Sequence, residues 1–223
     1  MKNRVNVIFE DNHILVVEKP INVPVQEDSS KDKDLLNMLK EYLKEKYYKP
    51  GNVYLGLIHR LDRPVGGIMV FAKTSKAASR LSNQIRENKF NKIYLAVVEN
   101  KIDESGELED YLLKDSKKNI VKVDSSGKLS KLSYKRIGYK DNLSLVQIQL
   151  ETGRSHQIRV QFSNNGNPLF GDQKYNKNSK VGEQVALFAK RIEFYHPITK
   201  ELVSFELDIP NRYPFNIFKN ERV

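Results

Sequence analysis

The chain has 223 residues, of which 39% are hydrophobic, so it is long and apolar enough to bury a core of its own. It contains no cysteine, which excludes disulfide scaffolds, thiolate metal sites, iron–sulfur clusters and cysteine nucleophiles, and fits a reducing cytoplasm. A formal charge of +10, combined with 11 Tyr and 10 Phe, favours a nucleic-acid partner over the alternative that the charge serves solubility alone.

The N-terminal part of the chain is predicted to form two short strands. Residues 5–10 and 14–17 are β-rich runs separated by Asp11-Asn12, a turn signal. Their apolar stretches are about four residues long, far short of a signal-peptide core or of the roughly 20 residues that a membrane span needs. We therefore expect a strand pair at the start of the fold and no membrane insertion.

A loop and an amphipathic helix are predicted next. Residues 19–33 are polar and contain Pro20 and Pro24, which is typical of a loop. The stretch that follows is rich in Lys and Glu and ends before Pro50-Gly51, as helices often do before proline. Its apolar residues recur at helical spacing and are Leu36, Leu39, Leu43 and Tyr47.

Residues 53–73 are predicted to form a strand, a loop and a second strand, with the polar cluster 59–64 in the loop. A second amphipathic helix follows, and its apolar face comprises Ala78, Leu81 and Ile85. The next strand is predicted to be half-buried, with an aliphatic face of Ile93, Leu95 and Val97. Tyr94 is expected to point away from that face.

The second half of the chain is predicted to be mostly extended. Residues 103–131 contain turn signals at 105–106 and 125–127 and are typical of exposed hairpins. A strand at residues 146–150 leads into a helix that is expected to begin at about 151–153. His156 and Arg159 would lie on one side of that helix because they are three residues apart.

Two more strands are predicted between residues 185 and 210, around His196-Pro197. There is no internal repeat, low-complexity segment or linker in the sequence. We therefore predict an α+β fold in which residues 1–223 form a single domain, with a largely antiparallel mixed central sheet flanked by helices.

One polar cluster comprises His59, Arg60, Asp62 and Arg63, in a loop after a strand where side chains can converge on a pocket. An Asp between two Arg suits a catalytic or binding site. An exposed Asp–Arg pair, worth under about 1 kcal/mol, explains the same spacing equally well.

A second polar cluster comprises Arg154, His156, Gln157 and Arg159, after a glycine turn that is expected to open a helix. Backbone N–H groups and two Arg at such a turn would bind a phosphate or hold a carboxylate ionised. The alternative is a capped helix on the surface.

The sequence indicates neither a metal site nor a cofactor site. The four His, at positions 13, 59, 156 and 196, include no pair four residues apart and no carboxylate at ligand spacing. Phosphate-loop and dinucleotide fingerprints are absent, and the lone pair Gly66-Gly67 is more typical of a turn.

Five segments resemble, in the right order, those of the RluA family of pseudouridine synthases. Residues 58–74, IHRLDRPVGGIMVFAKT, resemble its catalytic motif, and residues 153–159, GRSHQIR, resemble its arginine helix. The remaining three are similar to its opening strands, its tyrosine strand and the loop after the arginine helix, at residues 8–20, 91–98 and 170–175. Together the segments span nearly the whole chain.

The resemblance implies a role for four residues. Asp62 would be the essential carboxylate that attacks or deprotonates the ribose of a uridine in RNA, and Arg159 would form an ion pair with it. Tyr94 would line the pocket and take part in proton transfer at C5, and Arg60 would help to extrude the target base. Further RNA contacts are expected from His59, Arg63, Arg154, His156 and Gln157.

The resemblance also implies an enzyme that uses no metal and no cofactor. Several large-subunit rRNA enzymes of this family carry an N-terminal S4 RNA-binding domain. This chain is expected to lack it, because the first family-like strand starts at about Val5. Ribosomal RNA and transfer RNA are both possible substrates, and a monomer is the default expectation. Two alternatives stay open: a catalytically inactive RNA-binding or ribosome-assembly factor, and a metal-free ribonuclease that uses His59 and His156 as acid and base.

Overall fold

A computed structural model of the protein describes residues 5–28 and 30–221. Its α-helices are α1 (Leu35–Lys46), α2 (Ser75–Arg86) and α3 (Gln157–Asn164), and a short 3₁₀ helix covers Phe215–Phe218. Its strands are β1 (Asn6–Glu10), β2 (Ile14–Lys19), β3 (Gly56–Leu57), β4 (Gly66–Ala72), β5 (Asn91–Glu99), β6 (Ser105–Asp115), β7 (Ile120–Val123), β8 (Lys128–Lys140), β9 (Leu143–Leu150), β10 (Leu187–Tyr195) and β11 (Leu202–Glu206). The α+β prediction is confirmed, and the strand pairs described below are all antiparallel.

The chain separates into two compact units. The first unit is built from the chain up to Asn91 together with Arg191–Leu207, and the second from Lys92–Lys190 and the residues after Leu207. The chain passes from the second unit back to the first within β10. That residues 1–223 act as a single domain stays a prediction.

The first unit contains the predicted hairpin at the start of the fold. The carboxylate of Asp11 accepts hydrogen bonds from the backbone N–H groups of His13 and Ile14, both at 2.7 Å, and so closes the turn between β1 and β2. Strand β2 also pairs with β4, which pairs with β3, and β10 pairs with β11. Strand β4 is buried along its whole length, which holds the loop before it on a rigid element.

The second unit is a sheet of long strands, in which β5 pairs with β9, β9 with β8, β8 with β6 and β6 with β7. Helix α3 packs against β6 and β7, with Val160 of the helix in a small core with Leu112 and Val121. The predicted turn at 125–127 is confirmed, since the Gly127 N–H donates to the Asp124 carbonyl at 2.8 Å. No helix among the described residues is long and apolar enough to cross a membrane.

Both predicted amphipathic helices are confirmed; Leu39, Leu43 and Leu81 are buried as predicted, but other residues of each predicted apolar face are not. Helix α1 buries Leu35, Leu39 and Leu43, whereas Tyr47 is its C-cap residue and 44% exposed. Helix α2 buries Ala77, Leu81 and Gln84 rather than Ala78 and Ile85. The Gln84 side chain is drawn inward because its amide exchanges two hydrogen bonds with the backbone of Tyr195.

Three local predictions were wrong. Strand β5 is not half-buried, because the whole run from Tyr94 to Val98 is covered on both faces. Ser105-Gly106 starts β6 rather than forming a turn. Helix α3 begins at Gln157, so that His156, at φ 51°, lies before the helix in the left-handed conformation and not on its side.

Candidate functional site

The Asp62 loop, residues 58–65, connects β3 to β4 in the first unit. A turn closes it, with the Val65 N–H donating to the Asp62 carbonyl at 3.0 Å. Asp62 is partly exposed at this turn and Arg60 is exposed. Among the described residues, Arg60 has no ion-pair partner.

Lys19, at the end of β2, holds the Asp62 loop in place. Its Nζ donates to the carbonyls of Pro20 (2.9 Å), Arg63 (3.0 Å) and Val65 (2.7 Å), so all three N–H groups of an ammonium have an acceptor. The side chain is 1% exposed. Burial lowers the pKa of Lys19 to about 7, the charge of Asp62 opposes this shift and the charge of Arg63 adds to it.

Sequence reasoning missed Lys19, although it lies within a segment that resembles the family's opening strands. The available signal was a lysine at the end of the apolar run 14–17, in a position where an exposed charge would be ordinary. Two of its three acceptors, the Arg63 and Val65 carbonyls, come from a loop more than 40 residues away, and no local pattern shows them.

Arg63 and His59 anchor the same loop. Arg63 forms ion pairs with Asp32 and, at 3.7 Å, with Asp28, and it donates to Ser30 at 2.9 Å. His59 Nε2 accepts the Val70 N–H at 3.2 Å, and its ring lies 5.5 Å from that of Phe90. These contacts give both side chains a structural function, and the RNA contacts expected of them stay predictions.

In the second unit, Arg159 is fixed by Asp172. The Nε and Nη2 atoms of Arg159 donate to the two carboxylate oxygens of Asp172 at 2.8 and 2.7 Å. Arg159 is 6% exposed and Asp172 1% exposed, so this two-pronged pair is shielded from water. The guanidinium also lies 5.1 Å from the centroid of the Tyr175 ring. The ion pair of Arg159 with Asp62 stays a prediction.

Tyr175 links the turn before α3 to the β6–β7 hairpin. Its hydroxyl lies 2.6 Å from His156 Nδ1 and accepts the backbone N–H of Val121 at 3.0 Å. Asp172 and Tyr175 were both within the segment 170–175 that resembles a family loop, but the sequence did not indicate what they contact. Tyr94, on β5, is 7% exposed and pairs with Ile148 of β9.

Gln157 and Arg154 differ in what they can offer to RNA. The Gln157 amide donates to Lys131 O and Gln161 Oε1 and accepts from Thr152 Oγ1 and Arg154 N, which uses its full hydrogen-bonding capacity. It therefore shapes the turn before α3. The Arg154 side chain is exposed, and its Nε donates one hydrogen bond to the Leu129 carbonyl at 3.3 Å.

No group of His, Asp or Glu among the described residues could hold a metal ion.

Comparison with known proteins supports one activity. A family model described as RNA pseudouridylate synthase matches residues 13–164. The chain is 33% identical over 218 residues to "Ribosomal large subunit pseudouridine synthase D" of Zymomonas mobilis, covering 92% of this chain and 69% of that one. It is 33% identical over 211 residues to "Uncharacterized RNA pseudouridine synthase YhcT" of Bacillus subtilis, covering 92% and 68%.

Two solved human structures share the fold. "Human RNA Pseudouridylate Synthase Domain Containing 4" aligns over 98% of this chain and 94% of its own, with a TM-score of 0.80 and 18% identity. "Human RNA Pseudouridylate Synthase Domain Containing 1" aligns over 94% and 85%, with a TM-score of 0.76 and 22% identity. At these identities the likeness concerns the fold alone.

Proposed function

The chain belongs to the RNA pseudouridylate synthase family and is an RNA pseudouridine synthase, an isomerase, and we propose that Asp62 is the carboxylate that carries its reaction. The observation that supports this role is the loop itself. Asp62 lies on a tight turn between two strands, and a buried lysine holds two carbonyls of that turn, those of Arg63 and Val65. A partly exposed carboxylate on a fixed backbone meets the need for a preorganised group that reaches a substrate.

The reaction breaks the bond between C1′ and N1 of a uridine and forms a bond between C1′ and C5 of the same uracil. The proton on C5 is lost and N1 gains one, so the product has the composition of the substrate. Asp62 attacks or deprotonates the ribose, and Tyr94 takes part in the proton transfer at C5. Tyr94 is the buried tyrosine of β5 and is 7% exposed.

Arg159 and Arg60 have different tasks in this proposal. Arg159 orients and stabilises the ionised form of Asp62, and the Asp172 carboxylate keeps the Arg159 side chain in a single conformation. Arg60 helps to extrude the target nucleotide, since a base within a stack is inaccessible and flipping costs a few kcal/mol. Exposed Arg154 contacts the RNA backbone.

The substrate is proposed to be ribosomal RNA, because several relatives carry names of large-subunit ribosomal enzymes. Transfer RNA is the alternative. The protein works as a monomer in the cytoplasm, with residues 1–223 acting as one catalytic domain, and it needs neither a metal ion nor a cofactor. The 103–131 segment belongs to the sheet of the second unit through β6, β7 and β8.

The test is carbodiimide-based mapping of pseudouridine in total RNA from cells with and without the gene. One or more sites should vanish on deletion and return with the wild-type protein. Asp62→Asn should fail to restore them while folding normally, because the substitution keeps the shape and removes the charge. Asp103→Asn, which alters an exposed carboxylate elsewhere, should restore them fully.

Restoration by Asp62→Asn would refute the role of Asp62. No change at any site, although the protein is expressed and binds RNA, would support the inactive RNA-binding factor instead. Strand cleavage of purified RNA would support the ribonuclease alternative, since isomerisation leaves chain length unchanged.

A further inference from the structure

The C-terminal end of α1 carries an exposed group of aromatic and basic side chains that the reaction does not use. Two tyrosines in sequence are flanked by lysines and lie on the surface, with Tyr48 93% exposed and Tyr47 44% exposed. We call this the tyrosine–lysine surface, and its members are Lys44, Lys46, Tyr47, Tyr48 and Lys49.

The backbone at Tyr48 is unusual for a tyrosine. All three helices end in the same way, with the second residue after the helix in the left-handed conformation and two backward hydrogen bonds to the last turn. That residue is Asn88 at α2 and Gly166 at α3, and both residue types tolerate the left-handed conformation. At α1 it is Tyr48, with φ 50°.

A tyrosine in this conformation is strained. Because Tyr48 is almost fully exposed, packing of its ring does not stabilise the fold in compensation. Glycine or asparagine would end the helix with less strain. The side chain is therefore explained by what it presents to the outside, which is a flat aromatic face.

Tyr47 is held rigidly beside it. Its hydroxyl donates to Glu10 Oε1 at 2.7 Å, and the Nζ atoms of Lys73, Lys46 and Lys49 lie 4.8, 5.6 and 5.9 Å from its ring centroid. Burial would raise the pKa of Glu10, but hydrogen bonds from Lys46, Lys73, Tyr47 and Tyr42 outweigh it and lower that pKa to about 2.

The positive charge exceeds what Glu10 can balance. Lys46 and Lys73 both pair with Glu10, while Lys44 and Lys49 have no ion-pair partner among the described residues. Lys44 also lines a surface depression of about 420 Å³, whose other polar side chains are Asn37, Lys40, Glu41 and Asn52. Lysines and amides of this kind suit phosphate and base edges.

We propose that the tyrosine–lysine surface binds a single-stranded stretch of the substrate RNA, with an unpaired base stacked on Tyr48 and phosphates next to Lys44 and Lys49. Exposed aromatic rings between lysines are the means by which proteins bind single strands without reading their sequence. The proposal rests on the proposed function, since it assumes that the substrate is RNA.

This contact is separate from the Asp62 loop. The loop precedes β4 and Lys73 follows it, and a strand of seven residues spans about 20 Å. That length corresponds to about six stacked nucleotides. The surface therefore selects RNA in which an unpaired stretch lies several nucleotides from the target uridine.

The test is fluorescence anisotropy with a labelled oligouridylate of about 20 nucleotides, a single strand longer than the distance to Asp62. Tyr48→Gly should bind it about tenfold more weakly than the wild type, because one stacked base is lost. Tyr48→Phe, which keeps the ring, should bind like the wild type. A fully paired RNA duplex of equal length should bind all three proteins equally.

Thermal unfolding separates this role from a structural one. Tyr48→Gly should lose no stability, because glycine adopts φ 50° without strain. Equal affinity of wild type and Tyr48→Gly for the oligouridylate would overturn the proposal. A change in oligomeric state without a change in RNA affinity would overturn it too, and would assign the surface to a contact between protein copies.

Two further measurements complete the test. Lys44→Gln combined with Lys49→Gln should lower the slope of log affinity against log salt by about 1.4, or about 0.7 for each lost phosphate contact on a single strand. With substrate RNA, Tyr48→Gly should raise KM and leave kcat unchanged. Absence of pseudouridine formation by the wild type would refute the proposed function, while the oligouridylate comparison would still decide the role of the surface.

Discussion

At the scale of single residues, Lys19 determines how firmly Asp62 is held. Its Nζ reaches the Arg63 carbonyl across 44 residues of chain and is almost completely buried. A buried ammonium is unfavourable, yet only the protonated amine can donate all three hydrogen bonds, two of them to the loop and one to the Pro20 carbonyl. Because its pKa is lowered to about 7, the protonation of Lys19 changes near neutral pH.

The effect of Lys19 on stability has a definite sign. In the unfolded chain its pKa is about 10.4, so between about pH 7 and pH 10 the unfolded state binds more protons than the folded state. The free energy of unfolding of the wild type, relative to that of Lys19→Met, should therefore rise with pH by up to about 1.4 kcal/mol per unit in this window.

Urea unfolding of both proteins at a series of pH values measures this difference. Parallel stability curves for wild type and Lys19→Met would contradict the buried, titrating lysine. Lys19→Arg serves as the second variant, because its guanidinium stays charged in both states and it should also lack the rise.

Asp172 is the residue on which the position of Arg159 depends. Asp172→Asn keeps the size of the side chain but removes the charge that faces a buried guanidinium, and breaking such a pair costs about 3 kcal/mol or more. Pseudouridine formation should fall steeply as well, because Arg159 would no longer be oriented. Chemical denaturation and turnover measure the two effects.

The matched control for this prediction is Glu109→Gln, which breaks an exposed ion pair with Lys131. It should change stability little and turnover not at all. If Asp172→Asn behaves like this control, the buried pair does not position Arg159.

At the scale of elements, the loop after α3 places Asp172 by means of a glycine. Gly171 has φ +69°, and a Cβ atom built on it would lie 2.4 Å from the Gln184 carbonyl oxygen. Gly166, at the end of α3, has a similar φ of +82° but nothing within 4 Å of its Cβ position. Both glycines therefore need a left-handed backbone, but only Gly171 also lacks room for a side chain.

Gly171→Ala should unfold at a clearly lower temperature and lose activity, because the loop must move and Asp172 moves with it. Gly166→Ala should lose only about 1 kcal/mol of stability, from the left-handed backbone alone, and keep its turnover. Thermal unfolding and turnover of the two variants measure the difference. Equal losses would show that the contact with Gln184 is not limiting.

At the scale of the whole molecule, the charge of +10 is spread over a protein whose substrate is a polyanion. RNA affinity should fall linearly with salt on logarithmic axes, because each phosphate contact releases counterions. Anisotropy titrations at several KCl concentrations measure the slope, and sucrose at equal osmolality should leave the affinity unchanged. A flat response to KCl would mean that the positive charge does not contact phosphate.

The sequence by itself determined the α+β class, the opening hairpin, the existence of all three helices and the segments that identify the family. These features depend on local turn signals, on periodicity and on short motifs, which are visible in a single chain. It also singled out Asp62, Tyr94 and Arg159, through the resemblance of the segments that contain them.

Only the tertiary structure decided which side chains hold those residues in place and which stay on the surface. Lys19 and Asp172 each find their partners through contacts that no local pattern encodes. Helical spacing placed Tyr47 in the core, but α1 ends at Lys46 and leaves it and Tyr48 exposed. Periodicity predicts which residues share a face, whereas the packing of distant segments decides which faces are covered and where each element ends.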